Sequence, residues 1–572
     1  PKNLVKMWEG YVEEYRLIAK VLSVTRAVRE LPNLRRFRLV LIDESHNLRN
    51  REGQRYKAIQ EYLAENESRC ILLSATPYNK TYIDLSSQLR LFVPEDHDLG
   101  VRPERLLSGI GETEFIRRHQ CSVRSLAAFE KSEFPDDWRE LMRLYMVRRT
   151  RTFIQENYAS TDPENGRRYL TFEDGTRSYF PERRPRTVKF NISDEDTTDQ
   201  YAGLYASSVV DAINEMHLPR YGLGNYVAPA PDSSPTTQED RQLDDLSRAG
   251  KRLMGFCRTN LFKRLESSGE AFQQSLERHV LRNFVFLHAI ENDLPLPLGT
   301  QDAGLLDTAN YDEDIDDQSA DEGEDDLFQA AQALNLRDIP SFQRRAADAY
   351  ELYSGRFKKR FKWLRPGLFV SDLRSHLLED SATLMKILND CGPWKASQDR
   401  KLEALLSLLK TTHPTEKVMI FSQFADTVRY LERQLKKKGL EAIAGVTGET
   451  EDPTSFAWRF SPVSNGKRAQ VKEQDELRVL IATDVLSEGQ NLQDCSILVN
   501  FDLPWAIIRL IQRAGRVDRI GQKAAEILCY SFLPADGVER LINLRARVSQ
   551  RLRENAEVVG TDESFFEDEE DS

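Results

Sequence analysis

Two adjacent carboxylates, Asp43 and Glu44, stand directly after a short apolar run, residues 37–42 (FRLVLI). Such a pair suits a metal-nucleotide site. One carboxylate can hold Mg2+ through water, and its neighbour can orient and deprotonate an attacking water. Ser45 and His46 complete the tetrad. A second polar tetrad, Ser74-Ala75-Thr76-Pro77, follows a second apolar run, residues 70–73 (CILL). Far along the chain, Gln512, Arg516 and Arg519 recur at helical spacing. At 3.6 residues per turn they share one narrow face, opposite Ile507, Leu510, Ala514 and Val517. Arginine suits forked contact with phosphate oxygens. Plain structural readings stand beside these. Polar loops end strands without any function, and surface helices carry charged outer faces as a rule.

Elements must position these groups. Residues 37–42 and 70–73 read as buried parallel strands, with a helix over 54–65 between them. In doubly wound sheets, ligands bind beyond the carboxyl ends of the strands. Both tetrads lie at that end. From Lys401 the pattern repeats: a helix over 401–409, a strand over 418–421 followed by Ser422 and Gln423, and a helix over 425–438. Further strands read over 441–446 (ending in Thr447), 479–482 (ending in Thr483), 497–500 and 528–532. The region between the two α/β patterns is less regular and mostly helical. Residues 141–152 are an arginine-dense amphipathic stretch. Residues 169–190 alternate apolar and polar about Asp174-Gly175 and read as a β-hairpin. Residues 221–241 read as a loop, and 256–289 as one long amphipathic helix. Residues 356–365 (RFKKRFKWLR) interleave Lys358, Lys359 and Arg360 with aromatics. The charges suit a nucleic-acid backbone. The aromatics suit burial in a helix that snorkels its lysines.

The chain has 572 residues, enough for several domains. Its formal net charge of −12 argues on its face against nucleic acid. The distribution reverses that. Residues 312–326 hold ten acidic and no basic residues, and residues 562–571 hold seven more. The remainder is therefore mildly basic, and the two acidic blocks, the first within 300–327, read as disordered and solvated. No apolar run is long enough to span a bilayer. The six cysteines form no C-x-x-C pair and no metal-ligand spacing, which suits a reduced, cytoplasmic protein. The chain opens on Pro1 rather than Met, which leaves a targeting segment open.

Asp43-Glu44-Ser45-His46 resembles the nucleotide-hydrolysis motif of superfamily 2 helicases, and Ser74-Ala75-Thr76-Pro77 resembles their coupling motif. Residues 512–519 (QRAGRVDR) match their Q-x-x-G-R-x-x-R motif. The continuation Ile520-Gly521-Gln522, residues 500–505 (NFDLPW) and Arg148-Arg149-Thr150 narrow the resemblance to the Swi/Snf-type ATPases that translocate along double-stranded DNA. Residues 261–268 (LFKRLESS) resemble a segment of bacterial members. Some of those carry a nuclease domain upstream, which is not visible here.

The resemblance implies an α/β fold of two RecA-like parallel-sheet lobes, the first incomplete, separated by a large mainly helical insertion. It divides the chain into 1–92 (first lobe), 93–155 (protrusion), 156–395 (insertion), 396–550 (second lobe) and 551–572 (acidic tail). It implies ATP and Mg2+ as ligands. Asp43, with Glu44 beside it, would hold Mg2+ through water, and Glu44 would be the base. His46 and Gln512 would link the nucleotide site to the other lobe. Ser74 and Thr76 would couple hydrolysis to DNA. Arg516 and Arg519 would act as arginine fingers. Asp484, Glu488, Gly489 and Gln490 would form a loop facing DNA and nucleotide. Arg148, Arg149, Lys358, Lys359, Arg360, Ser422, Gln423, Thr447 and Thr483 would meet DNA. One departure is large: no G-x-x-x-x-G-K-[ST] occurs in the chain. The phosphate cradle of the family lies upstream of the segment matching residues 1–8 (PKNLVKMW). The expectation is a truncated first lobe and a chain that does not hydrolyse ATP alone. A strand-separating DNA or RNA helicase and a non-catalytic binding subunit remain alternatives, because fold alone does not choose among them.

Overall fold

The computed structural model describes residues 4–51, 53–74, 77–78, 81–95, 97–147, 151–172, 175–190, 192, 199–229, 234–299, 336–486, 490–504, 507–519 and 521–532. Helices α1 (Val5–Glu14) and α2 (Val24–Glu30) precede strand β1 (Leu39–Ile42), helix α3 (Gln54–Glu65), strand β2 (Arg69–Leu72) and helix α4 (Ile83–Leu89). The two strands pair in parallel, Leu41 opposite Ile71 and Ile42 opposite Leu72. Strand alternation sends Val40, Ile42, Cys70 and Leu72 into a small core with Ala27, Tyr56, Ile59 and Leu63. The other face departs from the expected buried strands. Leu39, Leu41, Ile71 and Leu73 are 52%, 44%, 43% and 37% exposed. A parallel strand is apolar on both sides because layers cover both sides. Among the described residues, only one side of this pair is covered.

Helix α5 (Pro135–Tyr145) belongs to a second core that takes Leu85 and Leu89 from α4 together with Val93, Phe129, Trp138 and Leu141. Glu130 ties this second core to the residues around β1 and α4. Its carboxylate accepts from Arg51 Nη2 at 2.7 Å, Ser86 Oγ at 2.5 Å and Arg90 Nε at 2.8 Å.

Strands β3 (Ser160–Thr161), β4 (Arg168–Thr171) and β5 (Arg177–Tyr179) form a small antiparallel sheet. The expected hairpin is therefore present in β4 and β5, and Gly175 takes φ +81° in its turn. It does not extend to residue 190. Strand β6 (Glu182–Val188) leaves and joins another sheet. The expected single helix over 256–289 is two helices, α6 (Thr237–Ser267) and α7 (Gly269–Glu291). Helix α6 starts inside the stretch read as a loop, at a capping box of Thr236 and Glu239. The break falls at Ser268, extended at φ −158°, whose side chain caps α7. A Cβ on Gly269 would lie 2.2 Å from the Trp394 ring, so only glycine admits that indole.

Strand β7 (Leu296–Gly299), helix α8 (Ile339–Ser354), strand β8 (Phe361–Leu364) and helix α9 (Asp372–Cys391) complete the middle region. Residues 356–365 are thus a short turn and a strand paired with β7, not the expected helix. Phe361 is buried and stacks on Tyr353 at 4.4 Å, while Lys358 and Lys359 are exposed. The two acidic blocks lie outside the described residues.

The last unit is built on β9 (Val418–Phe421), α10 (Ala425–Lys437), β10 (Ile443–Val446), β11 (Val479–Ala482), β12 (Ile497–Asn500), helix α11 (Ile507–Val517) and β13 (Glu526–Phe532). Its sheet has the order β10-β11-β9-β12-β13-β6, and every neighbouring pair is parallel. Strands β9, β11 and β12 are buried throughout, as continuous apolar runs require. The sixth strand, β6, comes from the segment that the sequence assigns to the insertion. One apolar core runs without a break from Leu204 and Leu276 in the middle region to Val418, Leu480 and Phe532 in this sheet. The line drawn at residue 396 therefore crosses a shared core. No described helix is long and apolar enough to cross a membrane.

Glu130 sets a pH prediction. Desolvation works to raise its pKa, but hydrogen bonds from Arg90 and Ser86 and the Arg51 charge prevail, and it falls from 4.5 to about 2. A depressed carboxylate pKa stabilises above the ordinary value, and that contribution is lost as pH falls through the folded value. The window therefore runs from 4.5 down to about 2. We expect Glu130→Gln to melt below the wild type at neutral pH and to lose less of its melting temperature on acidification through that window.

Candidate functional site

The Asp43-Glu44 pair sits where β1 ends. Asp43 accepts from the Trp8 indole Nε1 at 2.9 Å and from the Glu44 backbone N–H at 3.0 Å. Helix α1 therefore orients the first carboxylate, and sequence reasoning had given Trp8 no part. Glu44 has φ +51° and ψ 48°, the left-handed region. A residue with a Cβ is held there only when its surroundings over-determine it. They do so here. Ser45 N–H donates to Leu73 O at 2.9 Å, and Ser45 Oγ donates to Gln88 Oε1 at 2.9 Å. His46 is buried, with Nδ1 3.3 Å from Glu44 Oε2 and 3.0 Å from Ser74 Oγ. So the ends of β1 and β2 are cross-linked through His46, and Glu44 and Ser74 meet on one imidazole. Gln512 is buried, and its Nε2 makes no hydrogen bond. Thr76 lies outside the described residues.

Helix α11 brings the second set. Leu510, Ala514 and Val517 are buried as the periodicity predicts. The opposite face is not solvated: Gln512 and Arg516 are buried too. Arg516 Nε donates to Gln512 O at 3.4 Å. Arg519 lies past the last helical turn, where its Nε donates to Gly515 O at 2.9 Å. It is half-buried. Burial pushes the Arg519 guanidinium down, and the charge of Glu44 works the other way. The arginine from the C-terminal unit and the carboxylate from β1 are therefore in electrostatic reach of one another.

Several groups fix the end of α11. Gln522 Nε2 donates to Val517 O at 2.9 Å, capping an orphan helix carbonyl, and to Cys495 O at 3.0 Å in the turn before β12. Gly521 supplies φ +101° for the turn, and its N–H donates to Ser178 Oγ at 2.7 Å. Arg183 on β6 pairs with Asp518 at 2.5 Å, next to Arg519. The sixth strand thus reaches the residue beside the expected finger, a contact that spacing could not reveal.

Arg513 is the group whose role the periodicity hid. It is fully buried and donates to Asp484 from Nε at 2.6 Å and Nη2 at 3.2 Å, and from Nη1 to Asn500 Oδ1 at 3.1 Å and Asp502 O at 3.2 Å. Arg509 adds a contact to Asp484 at 3.3 Å. Desolvation works to raise the Asp484 pKa, yet the two guanidinium groups hold it below the ordinary range. Asp484 is therefore an internal anchor of α11. Gln490 Nε2 donates to Thr454 Oγ1 at 3.2 Å, and Glu488 and Gly489 lie outside the described residues.

The expected DNA contacts divide. Ser422 is buried and donates to Asp502 Oδ2 at 2.5 Å. Gln423 is buried, with its backbone N–H donating to Asp502 Oδ1 at 2.7 Å and Nε2 to Leu503 O at 2.6 Å. Both side chains are held by these internal hydrogen bonds. Thr447 and Thr483 end β10 and β11 and are buried. The Thr447 backbone N–H donates to Thr450 Oγ1 at 2.9 Å, and Thr483 Oγ1 makes no hydrogen bond. Lys358 and Lys359 are exposed, the Arg360 side chain lies outside the described residues, and so do Arg148 and Arg149.

Residues 400–521 match the family model described as the helicase conserved C-terminal domain. The chain is 32% identical over 150 residues to the uncharacterised ATP-dependent helicase YqhH of Bacillus subtilis (strain 168), covering 26% of this chain and 24% of that protein. It thus spans about a quarter of that relative's length. The crystal structure of the C-terminal part of the Fun30 ATPase domain is 15% identical, covers 67% of this chain and 99% of its own, and superposes with a TM-score of 0.29. The six-stranded parallel sheet and the α11 motif fall largely within the part of the chain that the helicase family model matches.

Arg513→Ala would remove the nearest guanidinium from the buried Asp484. Breaking a buried ion pair costs about 3–5 kcal/mol, so the denaturant midpoint of the C-terminal unit should fall clearly. Arg400→Ala, which removes an exposed pair with Glu403, should leave it nearly unmoved.

Proposed function

We propose that this chain supplies most of the motor of an ATP-driven translocase of the Swi/Snf type, acting on double-stranded DNA. The observation that carries this reading is the strand-end cluster in which His46 joins Glu44 after β1 to Ser74 after β2, together with the Gln512–Arg519 motif inside the part of the chain that the helicase family model matches; the charge of Glu44 is also felt at Arg519. In the proposed layout residues 1–92 and 396–550 are two RecA-like lobes, and the helical region between them is an insertion. A base on one lobe and arginines on the other make hydrolysis depend on closure of the cleft, and closure and opening shift the lobes along a phosphate backbone.

In this reading Glu44 takes the proton of the attacking water, held ready by its constrained backbone. His46 and Ser74 report the state of Glu44 to the end of β2. Arg516 and Arg519 stabilise the charge on the transferred phosphoryl group. Asp43 fits a water-mediated Mg2+, because hydrogen bonds from Trp8 and Glu44 fix its carboxylate at a strand end while leaving lone pairs for water. Bound there, Mg2+ would neutralise phosphate charge. The exposed Lys358 and Lys359 favour a backbone-gripping surface on the insertion, without sequence readout. Ser422 and Gln423 would act on DNA only through the placement of the 500–504 loop.

A narrower reading is favoured by the absence of a G-x-x-x-x-G-K-[ST] sequence. The chain by itself then binds DNA and contributes the base and the arginines but does not hydrolyse ATP. The exposed apolar face of β1 and β2 supports this, since a doubly wound lobe covers both faces of its sheet.

Three measurements test these readings. The chain alone should bind duplex DNA with steep salt dependence and show no DNA-stimulated ATP hydrolysis; appreciable hydrolysis would sink the narrower reading. Joined to a segment carrying a phosphate loop, it should hydrolyse ATP. Glu44→Gln or Arg519→Ala should then lower kcat by about 10^3–10^5, the range for such fingers. Displacement of a third strand from a triplex without separation of a duplex would support translocation, whereas unwinding would favour the strand-separating or RNA-directed alternative.

A further inference from the structure

Far in sequence from the nucleotide motifs, the middle region brings together His217, His376 and Glu379. Their ligating atoms lie within 4.8 Å of one another. His376 and Glu379 are three residues apart on α9, so helical spacing puts them on one face. His217 comes from the segment after the helix Ser207–Glu215. Its Nε2 is 3.1 Å from Glu379 Oε2, and its ring stacks on that of His376 at 3.7 Å and 2°.

The surroundings make this a built arrangement rather than a chance meeting of surface side chains. Asp380 is buried on α9 and accepts from the backbone N–H groups of His217 at 2.9 Å and Leu218 at 2.7 Å. Arg258 Nη2 donates to Met216 O at 2.6 Å. Leu218 is held at φ +50°, which a leucine adopts only under constraint. The loop is thus clamped in a strained form that presents His217 to α9. The Tyr226 hydroxyl is 2.8 Å from His376 Nδ1. That contact occupies one ring nitrogen and leaves Nε2 as the donor, the outer-shell arrangement that orients ligating histidines.

We propose that His217, His376 and Glu379 bind a divalent transition-metal ion of the zinc class, with water completing a tetrahedral set. Two imidazoles and one carboxylate are the donors such ions prefer, and they select against Mg2+, which takes oxygen ligands in octahedral geometry. At ordinary Zn–N and Zn–O lengths, neighbouring donors in a tetrahedron stand about 3.3 Å apart. The His217–Glu379 separation of 3.1 Å is already close to that. Ligation needs the two rings to open from their parallel stack so that the lone pairs converge. The bound ion would cross-link the 216–218 loop to α9, pinning the helical region that shares its core with the C-terminal sheet.

The test is titration of the purified chain with Zn2+ and, separately, Mg2+, followed by calorimetry and thermal unfolding. One equivalent of Zn2+ should bind and raise the melting temperature, and Mg2+ should do neither. Co2+ should give the visible absorption of a tetrahedral site. His376→Ala and the near-isosteric Glu379→Gln should abolish the Co2+ band, and Tyr226→Phe should weaken Zn2+ binding about 10–100-fold. Glu379 is exposed, so its variant keeps the apo fold and the comparison stays valid. No shift with Zn2+, or an equal shift in Glu379→Gln because acidic segments bind the ion, would overturn the proposal.

Discussion

The structure depends on a buried polar knot around Asp502. Its carboxylate accepts from Ser422 Oγ and Ser267 Oγ, each at 2.5 Å, and from the Gln423 backbone N–H. Lys401 lies beside it, fully buried, donating to Glu266 O at 2.7 Å and Ser267 O at 3.1 Å, with its ammonium over the Phe501 ring. Burial pushes the Lys401 pKa down, and Glu266, Asp502 and Asp399 oppose that push. A charge placed so deep is tolerated only while every partner stays in position. The knot therefore fixes three things at once: the break between α6 and α7, the end of β9, and the loop after β12. That is why the apolar cluster of the middle region continues into that of the C-terminal sheet.

A second polar cluster continues the same logic. Asp426 at the start of α10 is held by Arg278 at 2.7 Å and Arg264 at 3.2 Å. Arg264 and Ser267 both belong to residues 261–268, so one short segment grips the C-terminal unit at two points. At the far edge, β6 does the same work by backbone pairing with β13 and by the ion pair of Arg183 with Asp518. Rigid attachment at both places means that a displacement of the C-terminal unit carries the helical region with it. Glu44 is likewise held in the left-handed region by its neighbours, so its carboxylate is preorganised beside His46.

Much of the fold was legible in the chain because hydrophobic period and strand-end chemistry are local. The runs 418–421, 479–482 and 497–500 became strands within those limits, since continuous apolar segments of that length fit only a sheet covered on both faces. The hairpin about Gly175 followed from its turn chemistry. The errors arose where a distant partner decided the outcome. The 256–289 pattern has helical period throughout, but the Ser267 contact with Asp502 and the approach of Trp394 to Gly269 break it. Residues 356–365 carry helical composition, yet pairing with β7 draws 361–364 into a strand.

The sequence by itself determined the chemistry on offer: a carboxylate pair after one strand, a serine after the next, and arginines at helical spacing near the end. Those depend on residue type and short spacing alone. Tertiary structure decided which groups face the seam and which face inward. Residue type could not separate Arg513, spent on Asp484 inside the core, from Arg519, which feels the charge of Glu44. The arginines of residues 509–519 look alike by residue type. Only the positions of Asp484, Asn500 and Glu44, each set by a different strand end, distinguish an anchoring arginine from one that can act at the seam.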